Sequence, residues 1–430
     1  MQTEHTLEIK KIIAGGQGLG HLDDGLVVMA PFVLGGELVR VAEIRRHSGY
    51  IKAGLLEVLQ PSPHRRQPRC SYFGRCGGCD LQHIAFAEQA GIKGEIVGEM
   101  INRAGLSPRA GVGATLPSPQ AEGYRHRVRF HLSRRGEIGF HRFGTNDLVR
   151  VNHCLLAVPA INLTLKELIT SGLAAKIGLF CRQIEFVCSP DDQSVSATLI
   201  LAGSRKMPDT LLAAISDLHS LSGLVVRRRK KIVFAGGNTS ACQTFSNGPL
   251  SYTLHWDNQC FFQVNPEQNR QLVQLVLECA GDVTGQRVLD LFCGMGNFSI
   301  PLTLAGAEVT GVEWNRRAIG AARGNAASVG MDAITFVAAD VTEFIQECLG
   351  AGNQYDILLL DPPRQGVGRA ARLLPALAAG KIIYISCDPA TLVRDLRVLV
   401  RAGYHLLSLT PVDMFPQTHH IESVAVLEKN

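Results

Sequence analysis

The sequence predicts a multidomain chain: a small OB-like β-barrel, then a central α+β domain, then a C-terminal α/β domain of the Rossmann-like, doubly wound kind. Three observations carry this. Residues 1–59 hold short alternating runs between Gly-rich turns, residues 124–262 alternate strands with one or two helices, and from residue 266 strands and helices alternate regularly. At 430 residues the chain is too long for one compact domain, and 46% hydrophobic content is enough for sizeable cores.

The barrel is read from the runs "HTLEIKKII", "GLVVMAPFV", "ELVRVAEIRR" and "IKAGLLEVL", punctuated by "AGGQGLG" and "LGG". A five-stranded barrel of this kind often binds single-stranded nucleic acid. "QPSPHRRQPRC" (60–70) reads as a proline-broken linker, and helical periodicity follows over 83–104. That helix is expected to pack with the C-terminal domain, which is read as 263–430. From 266 come a helix, the strand "RVLDLF", a turn, a helix, "EVTGVE", a helix, "ITFVAAD", a helix, "YDILLLD", a helix, "KIIYIS" and a last helix. The pattern predicts a parallel sheet.

Charge divides the chain. Residues 1–265 hold 30 basic and 21 acidic side chains (+9), and residues 266–430 hold 13 and 17 (−4). The clusters "HRR" (64–66), "YRHRVRFHLSRR" (124–135) and "RRRKK" (227–231) fit a polyanionic partner such as RNA. The polar start "MQTEHTLEIKK" is no signal peptide, and no apolar run reaches the roughly 18 residues of a membrane span. A reducing cytoplasm is expected, with the twelve cysteines serving metal, catalysis or packing.

"VLDLFCGMGNFSIPL" (288–302) sets a glycine pair after a strand, without the third glycine of a dinucleotide fingerprint. Glu313 ends the next strand, 19 residues past Gly294, where an acid can accept from both ribose hydroxyls. Asp340 ends the third strand, suited to an adenine amino group, though it also reads as a helix N-cap. The set points to S-adenosylmethionine rather than a nicotinamide. "LLLDPPRQG" (358–366) puts Asp361 on a stiff turn at the ligand-binding edge of the sheet.

Cys387 in "YISCDPATL" ends a buried strand at the same edge. A helix N-terminus favours the thiolate, and the neighbouring Asp388 opposes that. Carbon 5 of uracil is too weak a nucleophile to take a methyl group unaided. A thiolate adding to carbon 6 activates it, and a base must later remove the carbon-5 proton. Glu422 in "HHIE" is the candidate base, with His419 and His420 as rivals on chemistry alone.

Cys70, Cys76 and Cys79 form a C-x5-C-G-G-C set in a polar loop. By itself the trio fits zinc as well as an iron–sulfur centre. Cys154 is the candidate fourth ligand and His153 the zinc-style alternative. The remaining cysteines, Cys293 beside the glycine turn included, read as packing residues.

With "FFQVN" (261–265), "DLFCGMGNFS" (290–299), "LDPPRQG" (360–366), "SCDPATL" (386–392) and "HHIE" (419–422), the chain resembles the RNA uracil-5-methyltransferase family along nearly its whole length. The resemblance is to the 23S ribosomal RNA branch, which carries an N-terminal TRAM domain and a [4Fe-4S] cluster. It implies Cys387 as nucleophile and Glu422 as base. It also implies Gln263, Phe292, Asn297, Glu313, Asp340 and Asp361 around S-adenosylmethionine, with Phe261 and Asp361 at the flipped uracil. For Cys70, Cys76, Cys79 and Cys154 it implies a [4Fe-4S] cluster in the central domain (60–262), and for residues 1–59 a TRAM barrel. At Pro363 some ribosomal members carry alanine. Ribosomal RNA is the expected substrate and a monomer the expected state. A transfer RNA uridine methyltransferase is the first alternative, and an RNA-binding or folding protein with a vestigial centre is the second.

Overall fold

The computed structural model describes residues 3–429 apart from 248–249 and 332–333. Strands β1 (Glu4–Ile13), β2 (Gln17–His21), β3 (Val27–Pro31), β4 (Leu38–Arg46) and β5 (Tyr50–Gln60) close a barrel in the order β1-β2-β3-β5-β4. Alternate side chains such as Leu7, Ile9, Val28, Val39, Val41 and Ile51 fill it, as period-2 patterning requires. The buried carboxylate of Glu37 ties the barrel to the following segment by accepting from Arg65 Nε at 2.6 Å and from the amide of Leu34 at 2.8 Å.

Helix α1 (Phe86–Arg103) does not pack on the barrel alone. Its Ile96, Val97 and Ile101 enter the same core as the C-terminal sheet. The central sheet comprises β6 (Arg127–Leu132), β7 (Ile138–His141), β8 (Leu148–Arg150), β9 (Cys181–Cys188), β10 (Val195–Leu201), β11 (Gly223–Arg228) and β12 (Lys231–Gly237). Three helices, one more than the sequence pattern suggests, cover its apolar face: α2 (Pro159–Thr170), α3 (Leu173–Gly178) and α4 (Asp209–Ser216). A hairpin, β13 (Ser240–Asn247) and β14 (Leu250–Asp257), follows, and its Phe245, Leu254 and Trp256 share a core with the C-terminal sheet.

The C-terminal part runs α5 (Pro266–Ala280), β15 (Arg287–Leu291), α6 (Ser299–Leu304), β16 (Glu308–Glu313), α7 (Arg316–Ser328), β17 (Thr335–Ala338), α8 (Val341–Gly350), β18 (Tyr355–Leu360), α9 (Leu374–Leu377), β19 (Ala378–Ser386), α10 (Pro389–Arg401), β20 (Tyr404–Val412) and β21 (Glu422–Lys429). The sheet order is β17-β16-β15-β18-β19-β21-β20. Strands β15 to β19 are parallel, as expected, but the sheet is mixed. β21 inserts antiparallel between β19 and β20, so the expectation of an all-parallel sheet is corrected. The reason is the connection: β20 and β21 are joined by a loop without a crossover helix, which permits only antiparallel pairing of neighbours. Strand order reverses between β15 and β18, and ligands bind in the crevice at such a reversal. Among the described residues no helix is long and apolar enough to cross a membrane.

Candidate active site

The turn after β15 is built for close approach. Phe292 adopts a left-handed φ of +69°, and both it and Cys293 donate to the carbonyl of Val312, at 2.9 and 3.1 Å. Gly296 holds a φ of +91°, a conformation side chains rarely adopt, and an added Cβ would press on Ile300 Cγ1 at 3.0 Å. Phe261, Gln263, Phe292, Asn297 and Asp361, five of the residues singled out in the sequence, line one cleft with Gly294 and Phe298. Gln263 is buried while Phe261 is 65% exposed. Asn297 is locked to Asn269 of α5 by a reciprocal amide pair at 2.9 and 3.1 Å.

Glu313, at the end of β16, accepts from the amide of Asn315 at 2.8 Å. Burial raises its pKa, and bonds from the amides of Asn315, Gly294 and Trp314 counter the rise. Asp340 lies exposed past β17 and caps α8, its Oδ1 accepting from Thr342 at 2.8 Å and Glu343 at 3.3 Å. Two residues the sequence reading passed over stand nearby. Asp290, fully buried in β15, is raised to about 7 by burial first. Ser299 Oγ donates to its Oδ2, while its Oδ1 has no partner among the described residues. The signal was an acid in the apolar run "VLDLF". Trp314, beside Glu313, is 68% exposed, a large aromatic left in water at the edge of the site.

The reactive groups stand at the ends of three neighbouring strands. Asp361 follows β18, Cys387 follows β19 and Glu422 opens β21. The ladder pairs Ser386 with Ser423, which sets Cys387 beside Glu422. Burial pushes the Cys387 thiol up to about 12, the charges of Glu422 and Asp361 adding to the rise and Arg364 opposing it. Glu422 is raised well above the usual carboxylate range by burial and then by Asp361, and burial raises Asp361 to about 7. Of the two opposed influences read from the sequence, the helix terminus and the acid beside it, the terminus gives the thiol little. Asp388 Oδ1 already accepts the amides of Ala390 and Thr391 at 3.0 Å, so those helix-terminal donors serve the cap, and two carboxyl groups face the thiol instead.

The rival bases are occupied elsewhere. His419 Nδ1 bonds Asp80, and His420 stacks edgewise on Phe415. Burial, then the charges of His419 and Arg364, lower the His420 pKa to about 3, leaving it a weak base. Cys293 is buried, its thiol raised by burial and by Asp290 and Glu313.

Away from this edge, Cys70, Cys76, Cys79 and Cys154 line one cavity of about 230 Å³ together with His153. Burial pushes Cys76 up to about 11, with the charges of Cys154 and Cys70 adding to the rise. Among the described residues no group of three or more His, Cys, Asp or Glu gathers closely enough to hold a single metal ion.

Residues 111–430 match the family described as tRNA (uracil-5-)-methyltransferase. The chain belongs to this family. Among its curated relatives, the 23S rRNA (uracil(1939)-C(5))-methyltransferase RlmD of Shewanella amazonensis is 33% identical over 436 residues, covering 97% of this chain and 96% of that one. The protein of the same name from Nitrosococcus oceani is 32% identical, covering 100% and 97%. Among solved structures, the Pyrococcus abyssi tRNA (uracil-54, C5)-methyltransferase in complex with S-adenosyl-L-homocysteine superposes with a TM-score of 0.75 at 25% identity, covering 98% of this chain and 100% of that one. In this uracil-5-methyltransferase family member the barrel, three of the four clustered cysteines and α1 all precede the segment matched by the family.

Proposed function

We propose that the protein methylates carbon 5 of a uridine in 23S ribosomal RNA, using S-adenosylmethionine, with Cys387 as nucleophile and Glu422 as base. The carrying observation is the β19–β21 register, which sets a thiol beside a buried carboxyl at the ligand-binding edge of the sheet. The full-length likeness to proteins named for 23S rRNA favours that substrate over transfer RNA. The basic excess of +9 over residues 1–265 suits an RNA partner, and residues 1–59 fit a TRAM barrel that contributes to its binding.

The residues fit the methyl donor. Glu313 offers an acceptor for ribose hydroxyls, Asp340 has an oxygen beyond its cap, and Gln263, Phe292, Asn297 and Asp361 shape the cleft at the glycine turn. When bound, S-adenosylmethionine supplies an electrophilic methyl group. The protein's own part begins with a uridine flipped from its stack, Phe261 offering an exposed ring to receive it. Cys387 loses its proton to solvent, and the thiolate sulfur bonds carbon 6, which moves the electron pair of the 5,6 double bond toward carbon 5. Once carbon 5 carries the methyl group, Glu422 takes the carbon-5 proton. The pair left behind restores the double bond as the sulfur–carbon bond breaks. A raised Glu422 pKa suits a group that must hold that proton.

The four cysteines fit a [4Fe-4S] cluster. They line one cavity, and four thiols are the ligand set such a cluster takes. Methyl transfer moves no electron through it, so its role is structural, tying the loop of Cys70, Cys76 and Cys79 to Cys154 within the central domain (60–262).

The test is methyl incorporation into unmodified transcripts of 23S rRNA and transfer RNA, run with Cys387→Ala and Glu422→Gln. The proposal expects incorporation into the ribosomal transcript, no product and no covalent species from Cys387→Ala, and a denaturation-resistant protein–RNA adduct from Glu422→Gln. Incorporation into transfer RNA alone transfers the activity to that substrate. RNA binding without incorporation into either makes the protein a binding module.

A further inference from the structure

We infer that Asp80, Gln89 and Lys93, which lie before the family-matched segment, are positioning residues that aim Glu422 at carbon 5. The inference rests on the reading of Glu422 as the base. The nine residues from Asp413 to Ile421 connect β20 to β21 and deliver Glu422 to the site. They contain no helix or strand to hold them, and Gln417 within them has a left-handed φ of +67°, a conformation that persists only where neighbours impose it.

Those neighbours come from residues 80–93. Gln89 and Gln417 make a reciprocal pair: Gln89 Nε2 donates to Gln417 Oε1 at 3.0 Å, and the Gln417 amide donates to Gln89 Oε1 at 2.8 Å. The amides of Asp80 and Leu81 both donate to the Gln417 carbonyl at 3.1 Å. The Asp80 carboxylate bonds His419, three residues before Glu422. Lys93 donates to Asp413 at 2.6 Å and to the Phe415 carbonyl at 3.0 Å. Gln89, Lys93 and Asp413 are at most 1% exposed, so water cannot replace these bonds. The barrel adds a lid. A Cβ on Gly16 of its first turn would meet His419 Cβ at 2.9 Å and Asp80 Oδ2 at 3.2 Å, so that turn lies directly on the pair. Asp80 adjoins Cys79, so the cysteine loop and the base-bearing loop share one set of hydrogen bonds.

Proton removal follows addition and methylation, so loosening the clamp slows the last step selectively. In the full-length protein, Gln89→Met removes the reciprocal pair with little change of volume, and Asp80→Ala frees His419 from the other side. With an unmodified 23S rRNA fragment as substrate, each variant is compared with wild type and Glu422→Gln for two products: methylated RNA released, and methylated RNA trapped covalently on a denaturing gel. The clamp predicts an adduct-to-product ratio about tenfold or more above wild type, since displacements of an ångström carry penalties of that order. If adduct and product fall together, residues 80–93 serve only folding or RNA binding, and the inference is overturned. A wild-type ratio in both variants overturns it as well, while Glu422→Gln still stalls. If Glu422→Gln itself turns over at the wild-type rate, the reading of Glu422 as base fails, and this inference fails with it.

Discussion

Ser386 faces Ser423 across the antiparallel β19–β21 ladder, and that one pairing decides the chemistry beside it. One residue on, the Cys387 thiol meets the Glu422 carboxyl, and burial together with Glu422 and Asp361 pushes the thiol up to about 12. Around neutral pH Cys387 is therefore a thiol, and each pH unit gained multiplies its thiolate fraction tenfold.

The rate at which 5-fluorouracil RNA becomes covalently attached should accordingly rise with pH, with a log–log slope approaching one between about pH 6.5 and 9. Fluorine cannot leave as a proton does, so the adduct persists and can be counted on a denaturing gel. A flat profile would mean that the thiolate is already formed at pH 6.5.

Asp290 gives a stability signature of its own. Burial first, and then the charges of Asp361 and Glu313, raise its pKa from 3.8 to about 7. A raised carboxyl binds its proton more tightly when folded, so its contribution is fully present below pH 3.8 and is lost as pH climbs to about 7. Asp290→Asn removes that dependence. Relative to wild type, the variant should gain stability with rising pH, by up to about 1.4 kcal/mol per pH unit within that window. Urea melts of both proteins at pH 4.5 and 7 check it, and parallel behaviour would show that Asp290 is ionised throughout.

Protein purified without oxygen should be brown and contain iron and acid-labile sulfide, and Cys76→Ser should abolish both. One equivalent of zinc with no iron would reject a cluster in the cavity lined by Cys70, Cys76, Cys79 and Cys154.

RNA affinity should fall by about a thousandfold between 50 and 200 mM salt if several phosphates are contacted. Fluorescence anisotropy with a labelled rRNA fragment measures it. A shallow slope would assign the basic excess of residues 1–265 to solvation of the surface.

Much of this architecture was legible because it is local. The cap of α10 was readable in Asp388–Pro389, and the cap of α8 in Asp340, since each bonds amides two and three residues on. The convergence of Phe261, Gln263, Phe292, Asn297 and Asp361 on one cleft was implied by the family resemblance of the motifs that carry them, and Asp361 alone was also read from its place at a strand end. What escaped was non-local. Gln89 and Lys93 have the polarity of a solvent-facing helix stripe, yet both are buried, because their partners lie 328 and 320 residues away. The insertion of β21 was equally hidden, since alternation fixes that a run is a strand and not which strands flank it. The state of Cys387 depended on two carboxyl groups brought in by other strands.

The pairing of Gln89 with Gln417 also sets an order of assembly. Joining residues 328 positions apart costs on the order of 5 kcal/mol of chain entropy in an otherwise open chain, against almost nothing for a hairpin such as β13–β14. The barrel and both sheets therefore have cheaper partners to find first, and the seam between residues 80–93 and 413–421 closes when they are already in place. With the sheets formed, Glu422 already stands beside Cys387 through the β19–β21 and β20–β21 ladders, while the loop that leads into it, Asp413–Ile421, gains its hold only when the seam closes. Methyl-donor binding at the glycine turn then reports the sheet, and the seam shows only in turnover.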